Sequence, residues 1–171
     1  IKLANTKWNF INFKPGLVGG HCLPVDPFYL SYIAKQKKLK TITTLAGRKT
    51  NNNMEKYVLN SFKNFIKNKG IKKNNSQILI VGLSYKYGVA DIRNSINLKI
   101  YQKNKKTNRN TYYFDPFINK HNLGTSVNIN DIFKFDVVIF LSNGKIFQKL
   151  HDRIKIKKPE VIIDPFYYYK K

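Results

Sequence analysis

The sequence is poor in acidic residues and in cysteine, and it has no long apolar segment. Only 9 Asp and Glu residues stand against 32 Lys and Arg residues, so the formal net charge of the 171-residue chain is +23. Its single cysteine cannot form a disulfide within the chain, which favours a reducing, cytoplasmic setting. No apolar run approaches the roughly 20 residues that cross a bilayer, and we therefore expect no membrane association.

The strong positive charge has two interpretations. Clustered Lys and Arg side chains would indicate a nucleic-acid surface, because they displace counterions from phosphates. Here Lys predominates over Arg and is spread along the whole chain, which favours a general compositional bias. A positive field would still attract a nucleotide diphosphate. A nucleic-acid-binding domain remains an alternative that rests on charge alone.

A polar stretch at 67–77 (KNKGIKKNNSQ) divides the chain into a partial helical domain, 1–70, and a second domain, 71–171. In the first domain, Asp26-Pro27 predicts the cap and first position of a helix that runs to about residue 38. Its inner face would carry Tyr29, Tyr32 and Ile33. Apolar residues at helical spacing predict a second helix over 52–69.

The second domain alternates between short apolar runs and helical patterns. This alternation predicts a parallel sheet with helices on both faces, a doubly wound, Rossmann-like α/β fold. Ligands of such sheets bind beyond the carboxyl ends of the strands, here at 83–87, 115–116, 142–144 and Asp164. The predicted strands are 77–83, 111–114, 136–141 and 160–164, and the predicted helices are 94–106 and 145–150.

The segment KPGLVGGHCLPVDP (14–27) holds the residues best suited to chemistry. A Cys22 thiolate is a good covalent nucleophile, and the Asp26 carboxylate four residues later could position water to hydrolyse a thioester. A helix that starts at Asp26 would also present its positive end to a thiolate. Alternatively, Cys22 is a small buried hydrophobe and the glycines only shape a turn. His21 is predicted to be structural or to line the substrate site, and no metal site is expected.

The turn VGLSYKYGVADIRNS (81–95) joins the first strand of the second domain to the next helix. It contains Gly82 alone and lacks the Gly-x-Gly-x-x-Gly fingerprint of a dinucleotide site. We therefore expect this domain not to bind NAD in the usual way. Lys86, just beyond the strand, could meet a phosphate or a sugar hydroxyl, or could be one more solvated lysine.

Three segments resemble the UDP-glucose/GDP-mannose dehydrogenase family, and nearly the whole chain is covered. They are TKWNFINFKPGLVGGHCLPVDPFYL (6–30), LAGRKTNNNMEKYV (45–58) and GLSYKYGVADIRNS (82–95). The similarity is greatest to the branch that oxidises UDP-N-acetylhexosamines for bacterial surface polysaccharides. It implies NAD-dependent, two-step oxidation of the sugar C6 alcohol to a carboxylate through a cysteine thioester. It also implies a homodimer formed through the domain that contains helix 52–69.

The resemblance assigns roles to individual residues. Cys22 matches the nucleophile and Asp26 the carboxylate that assists water and proton transfer. Val25 and Arg93 match residues near the cofactor, NAD. The residues that match substrate-binding positions are Phe13, Lys14, Gly16, Gly19, Gly20, Tyr85 and Lys86.

Several departures from the family pattern keep a second interpretation open. The amino-terminal Rossmann domain, which would bind NAD, is absent from this sequence. Asn52 replaces a usual Asp, and Asn143-Gly144 lacks an expected His. The basic residue expected just after Asp164 is missing too, with Phe166 nearby. The chain could therefore be a catalytically inactive, dimerising remnant that only binds a nucleotide sugar.

Overall fold

The computed structural model describes residues 3–11, 16–72, 75–118, 123–166 and 168–169. Two helices come first, and four short strands alternate with two further helices. Within the described residues, no helix combines the length and apolar character needed to cross a membrane. The elements are α1 (Asp26–Gln36), α2 (Ile42–Asn68), β1 (Ile78–Val81), α3 (Ile96–Thr107), β2 (Thr111–Phe114), β3 (Val137–Phe140), α4 (Lys145–Lys157) and β4 (Ile162–Ile163).

The four strands form one parallel sheet in the order β2-β1-β3-β4. The chain leaves β1 through α3 towards one edge of the sheet and leaves β3 through α4 towards the other. The direction of winding therefore reverses between β1 and β3, as in doubly wound folds. This topology confirms the predicted α/β class and places all the carboxyl ends of the strands at one rim.

Both faces of the sheet are covered by apolar side chains from helices. On one face, Val58 and Phe62 of α2 pack with Ile100 of α3 against alternate residues of β1 and β3. On the other face, Phe147 and Leu150 of α4 pack against the remaining strand residues. All residues of β1 and β3 are buried, which explains why both strands read as continuous apolar runs rather than alternating ones.

Helix α2 is longer than the sequence predicted, because it begins at Ile42 and not near residue 52. Its first ten residues include Gly47 and the start of an Asn run, which are weak helix formers and concealed the pattern. Tertiary contacts override this local preference, since Asn51 is buried and hydrogen-bonds to the Val18 backbone. Helix α4 likewise continues past residue 150 to Lys157, because Ile154 extends its buried face.

Helix α1 departs from the prediction in its packing. Tyr29, Tyr32 and Ile33 were expected on an inner face, but they are 67%, 63% and 54% exposed. No residue of α1 is buried. The helix is apolar around much of its circumference and packs chiefly beside α2, which cannot cover all of it. The inner-face prediction is therefore wrong for this chain on its own.

Candidate functional site

A glycine-rich loop, residues 16–25, leads into α1 and carries Cys22. Helix α2 fixes its first part through Asn51. The Val18 amide donates to Asn51 Oδ1 at 3.2 Å, and Asn51 Nδ2 donates to the Val18 carbonyl at 2.9 Å. Because one carboxamide satisfies both backbone groups of a residue, it acts as a local substitute for a strand partner. These two hydrogen bonds fix the position of the loop relative to α2.

The middle of the loop presses against the turn that joins β1 to α3. A Cβ atom on Gly19 would lie 2.7 Å from the Asn94 carbonyl oxygen, and one on Gly20 would lie 2.9 Å from the Tyr85 ring. Gly20 also has a φ of +93°, which disfavours any side chain. Asn94 Nδ2 donates to the Gly20 carbonyl at 3.1 Å. Both glycines are therefore required for close approach of the two backbones.

A carboxylate at Asp91 joins the cysteine loop to the start of α3. His21 Nε2 and Asp91 Oδ2 are 3.0 Å apart, and Arg93 Nη2 donates to the same oxygen at 2.7 Å. The Arg93 Nε and backbone amide also donate to this carboxylate. Hydrogen bonds from Arg93 hold the pKa of Asp91 well below its usual range, with a smaller contribution from His21. His21 thus pairs with Asp91, in line with a structural role.

Cys22 lies in the turn immediately before α1 and is exposed. Its carbonyl accepts hydrogen bonds from the Val25 amide at 2.9 Å and from the Asp26 amide at 2.8 Å. The second bond has the spacing of a helical turn, so Cys22 lies at the amino end of α1. Asp26 is the first helical residue and Val25 the capping one, so the predicted cap position is wrong by one residue.

The sequence predicted a ligand site beyond the carboxyl ends of the strands, but buried side chains fill part of this rim. Asp115 is buried, and one of its carboxylate oxygens accepts from the Leu83 amide and from the Ser84 amide and hydroxyl, each at 2.9 Å. This carboxylate shapes the turn after β1 and is not free for a ligand. Gly82 is also a packing residue, because its Cβ position lies 2.5 Å from Ser142 Cβ.

Tyr87 covers the amino end of α4. Its hydroxyl accepts from the Ile146 amide at 3.2 Å, and its ring lies edge-on to Phe117 and Phe147. A side chain at Gly144 would collide with this ring. This helix end, which could otherwise receive an anion, is therefore occupied by an aromatic side chain.

The remaining predicted residues are distributed around this loop and turn. Lys86 is exposed, and Gly16 lies against Tyr168, whose hydroxyl would be 2.5 Å from a Cβ atom there. Val25 lines a small cavity beneath the loop. Phe13 and Lys14 lie outside the described residues. Tyr85 lies under Gly20, so at least one face of its ring is taken up by the loop.

Sequence reasoning missed residues that organise the site from a distance. Asn51, Asp91 and Tyr87 anchor the loop and the rim, and Arg48 is buried nearby. Asp91 could have been suspected, because Asp two residues before Arg in a turn often accepts the arginine amide. Asn51 and Arg48 lie within the family-like segment 45–58, but no individual role was assigned to them because the helix that carries them was not predicted.

Two family models match the chain. The UDP-binding domain of the UDP-glucose/GDP-mannose dehydrogenase family matches residues 79–171, more than half of the chain, and its central domain matches residues 1–53. The chain belongs to the UDP-glucose/GDP-mannose dehydrogenase family. The suspected resemblance is thereby confirmed.

Similar members of this family are longer than the chain. Protein CapL of Staphylococcus aureus is 39% identical over 106 residues, which cover 62% of this chain and 25% of that protein. UDP-N-acetyl-D-glucosamine 6-dehydrogenase of Pseudomonas aeruginosa is 36% identical over 118 residues, 69% of this chain and 28% of that protein. The chain thus spans about a quarter of the length of these relatives.

The fold is shared with solved structures of the same family. The UDP-D-ManNAc dehydrogenase of Pyrococcus horikoshii superposes with a TM-score of 0.77 at 26% identity, over 100% of this chain and 40% of that one. The native structure of UDP-N-acetyl-mannosamine dehydrogenase Cap5O from Staphylococcus aureus gives 0.69 at 28% identity, over 99% and 38%. The arrangement of loop, α2 and sheet is therefore that of the carboxy-terminal part of such proteins.

Proposed function

We propose that this chain is the cysteine-bearing part of an NAD-dependent nucleotide-sugar 6-dehydrogenase that acts on a UDP-N-acetylhexosamine. The observation that carries the proposal is the exposed Cys22 on a glycine loop held against the turn after β1. Relatives named for UDP-N-acetyl-D-glucosamine and UDP-N-acetyl-D-mannosamine support this substrate class. The product would be a uronate for a surface polysaccharide.

Cys22 would act as the covalent nucleophile. Its sulfur adds to the aldehyde carbon at C6, and the carbonyl oxygen takes up a proton to give a thiohemiacetal. Loss of a hydride from that carbon, together with the proton of its hydroxyl group, then leaves a thioester. The amino end of α1 supports this role, because a helix of 11 residues favours negative charge at its start. NAD⁺, when bound, supplies the hydride acceptor for each of the two oxidations.

Asp26 would assist the hydrolysis of the thioester. Its backbone amide bonds to the Cys22 carbonyl, so the two residues stay one helical turn apart. An exposed carboxylate at this distance can orient a water molecule and accept its proton as the oxygen attacks the thioester carbon. The carbon–sulfur bond breaks, and the thiol is regenerated with the sugar as a carboxylate.

The turn after β1 would hold the nucleotide sugar opposite the loop. Exposed Lys86 is suited to the diphosphate, and Tyr85 together with Gly16, Gly19 and Gly20 would form the wall of the sugar site. Phe13 and Lys14 are proposed to contribute to the same site. Residues 1–70 and 71–171 would thus contribute to one site from two domains.

The described residues do not form a dinucleotide site by themselves. Gly82 packs against β3, and the end of α4 is covered by Tyr87, so neither offers a place for a pyrophosphate. Val25 and the exposed Arg93 would only border the cofactor, which another part of the protein would bind. Asp91 contacts both Arg93 and His21. A cofactor that binds beside Arg93 would therefore change the contacts of the cysteine loop through Asp91.

A homodimer is part of the proposal. The exposed apolar side chains of α1 are the kind of surface that another polypeptide covers. The free, exposed thiol also fits a reducing compartment such as the cytoplasm.

Alkylation of Cys22 tests the substrate site in the 171-residue chain, because no other thiol is present. Saturating UDP-N-acetylglucosamine should slow alkylation at least about tenfold, and free N-acetylglucosamine should not. Lys86→Ala should weaken the protection about tenfold, which corresponds to one charge-assisted hydrogen bond. Lys67→Ala removes a similar charge from the exposed end of α2 and should leave protection unchanged. Equal alkylation with and without the nucleotide sugar would refute the site.

Turnover tests the mechanism in the full gene product. NADH formation with UDP-N-acetylglucosamine should be abolished by Cys22→Ala, and retained turnover in that variant would exclude the thioester route. Protection without any turnover by the unsubstituted protein would favour the second candidate function, an inactive nucleotide-sugar-binding remnant. The departures from the family pattern at Asn143-Gly144 and just after Asp164 are the observations that favour this alternative.

A further inference from the structure

Arg48 is a buried cation with no ion-pair partner among the described residues. It exposes only 9% of its surface, and its Nε is buried with no hydrogen-bond acceptor. None of the ion pairs within the described ranges involves it. A guanidinium stays charged at every physiological pH and carries five N–H donors, so burial without an acceptor is strongly unfavourable. Its position therefore points to a ligand that supplies acceptors.

A cavity of about 150 Å³ lies beside this side chain. It opens between the cysteine loop, α2 and the start of α3. The volume is that of about five water molecules, which accommodates a carboxylate or a phosphate group but not a nucleotide. Its polar lining residues are Arg48, Asn51, Asn52, Asn94 and Lys99.

The lining has the electrostatics of an anion site. Two cations contribute to it and no described carboxylate does. Asn51 and Asn94 are already bonded to the backbone of the loop, so they form a rigid wall. Arg48 inside and the exposed Lys99 at the mouth remain as charged donors. Charge-assisted hydrogen bonds of this kind are the strong ones in proteins.

We propose that this cavity binds a small free oxyanion, a carboxylate or a phosphate group, with Arg48 as its principal donor and Lys99 as a second one. Because the cavity is also lined by Pro24 and Val25, the ligand links the cysteine loop to α2 and α3. The site stands on its own geometry and does not depend on the proposed dehydrogenase activity.

The test follows the side-chain Nε–Hε signals of arginine by two-dimensional NMR in the full 171-residue chain. Inorganic phosphate is added against chloride at constant ionic strength, and acetate is used in a second titration. The Arg48 signal, identified by its loss in Arg48→Lys, should shift in a saturable way. The signals of Arg93, Arg109 and Arg153 should not follow the same dissociation constant as the Arg48 signal.

Matched variants separate the site from general attraction to a basic chain. Arg48→Gln and Lys99→Gln should each weaken phosphate binding about tenfold, measured through the Val25 amide. Lys49→Gln removes an exposed charge next to Arg48 and should not change the affinity. Lys99 is exposed, so its variant keeps the test valid if Arg48→Gln does not fold.

Three results would overturn the proposal. One is a failure of phosphate and acetate to move the Arg48 signal. Another is equal weakening by Lys49→Gln and Lys99→Gln, which would indicate non-specific attraction. The last is a shift of the Arg48 signal with protein concentration and no added anion, which would assign the contact to a carboxylate of a second copy.

Discussion

Gly19→Ala should release the cysteine loop from the turn before α3. The new Cβ would lie 2.7 Å from the Asn94 carbonyl oxygen, 2.9 Å from Tyr85 Cβ and 3.3 Å from Ser95 Cα. Backbone atoms cannot turn away as the end of a long side chain can. Overpacking of this kind costs about 1–3 kcal/mol, and we expect the free energy of unfolding to fall by that amount.

The loss should be measured by urea unfolding followed by circular dichroism. Hydrogen exchange at the Val18 amide adds a local measurement, because this amide donates to Asn51 in the loop anchor. If the clash is relieved by local opening, exchange there should rise about 5- to 150-fold, the range that corresponds to 1–3 kcal/mol. Either measurement would detect the release, and together they distinguish local from global loss.

Gly47→Ala is the matched control. The same substitution on α2 meets no atom within 4 Å. Replacing an exposed helical glycine by alanine should stabilise the protein by about 0.5–1 kcal/mol. If Gly19→Ala were as stable as the unsubstituted protein and left Val18 exchange unchanged, the contact between loop and turn would not exist as described.

Three further substitutions, one of them a control, test the packing of the core. Phe62→Ala should lower the free energy of unfolding by about 3–5 kcal/mol, because this α2 side chain is 1% exposed. Tyr57→Ala on the same helix is the control and should lower it by less than about 1 kcal/mol. Equal losses would contradict the packing of α2 on the sheet. Burial raises the pKa of Tyr101 to about 12, so its contribution to stability is complete below the unfolded pKa of about 10 and is lost as the pH rises towards 12. Tyr101→Phe removes a buried hydroxyl that has no hydrogen-bond partner, and it should be at least as stable at pH 7 and lose less stability between pH 10 and pH 12 in the same unfolding assay. Identical alkaline losses in both proteins would show that Tyr101 ionises without a penalty.

The pairing of Asp91 with both His21 and Arg93 has a consequence for the proposed reaction. One carboxylate contacts the residue next to the nucleophile and the residue proposed to border the cofactor. Because the Arg93 hydrogen bonds keep Asp91 ionised far below neutral pH, this link persists over the range in which such an enzyme would work. The loop and the turn therefore behave as one structural unit.

The sequence by itself determined the α/β class, the positions of the four strands along the chain and a cysteine just before a helix, but only the structure showed that this thiol is exposed. These features follow from local physics: continuous apolar runs make buried strands, and Asp-Pro starts a helix. The candidate nucleophile Cys22 and its neighbour Asp26 were found because a few adjacent residues carry the pattern.

Only the tertiary structure decided what holds that loop and what surrounds it. Asn51 anchors the loop from 33 residues away, and Tyr87 closes the rim through an amide of α4. The helix before residue 52 forms because the two hydrogen bonds between Asn51 and the Val18 backbone outweigh its weak local preference. Such contacts join residues with no fixed spacing in the chain, so no periodicity or motif could have predicted them.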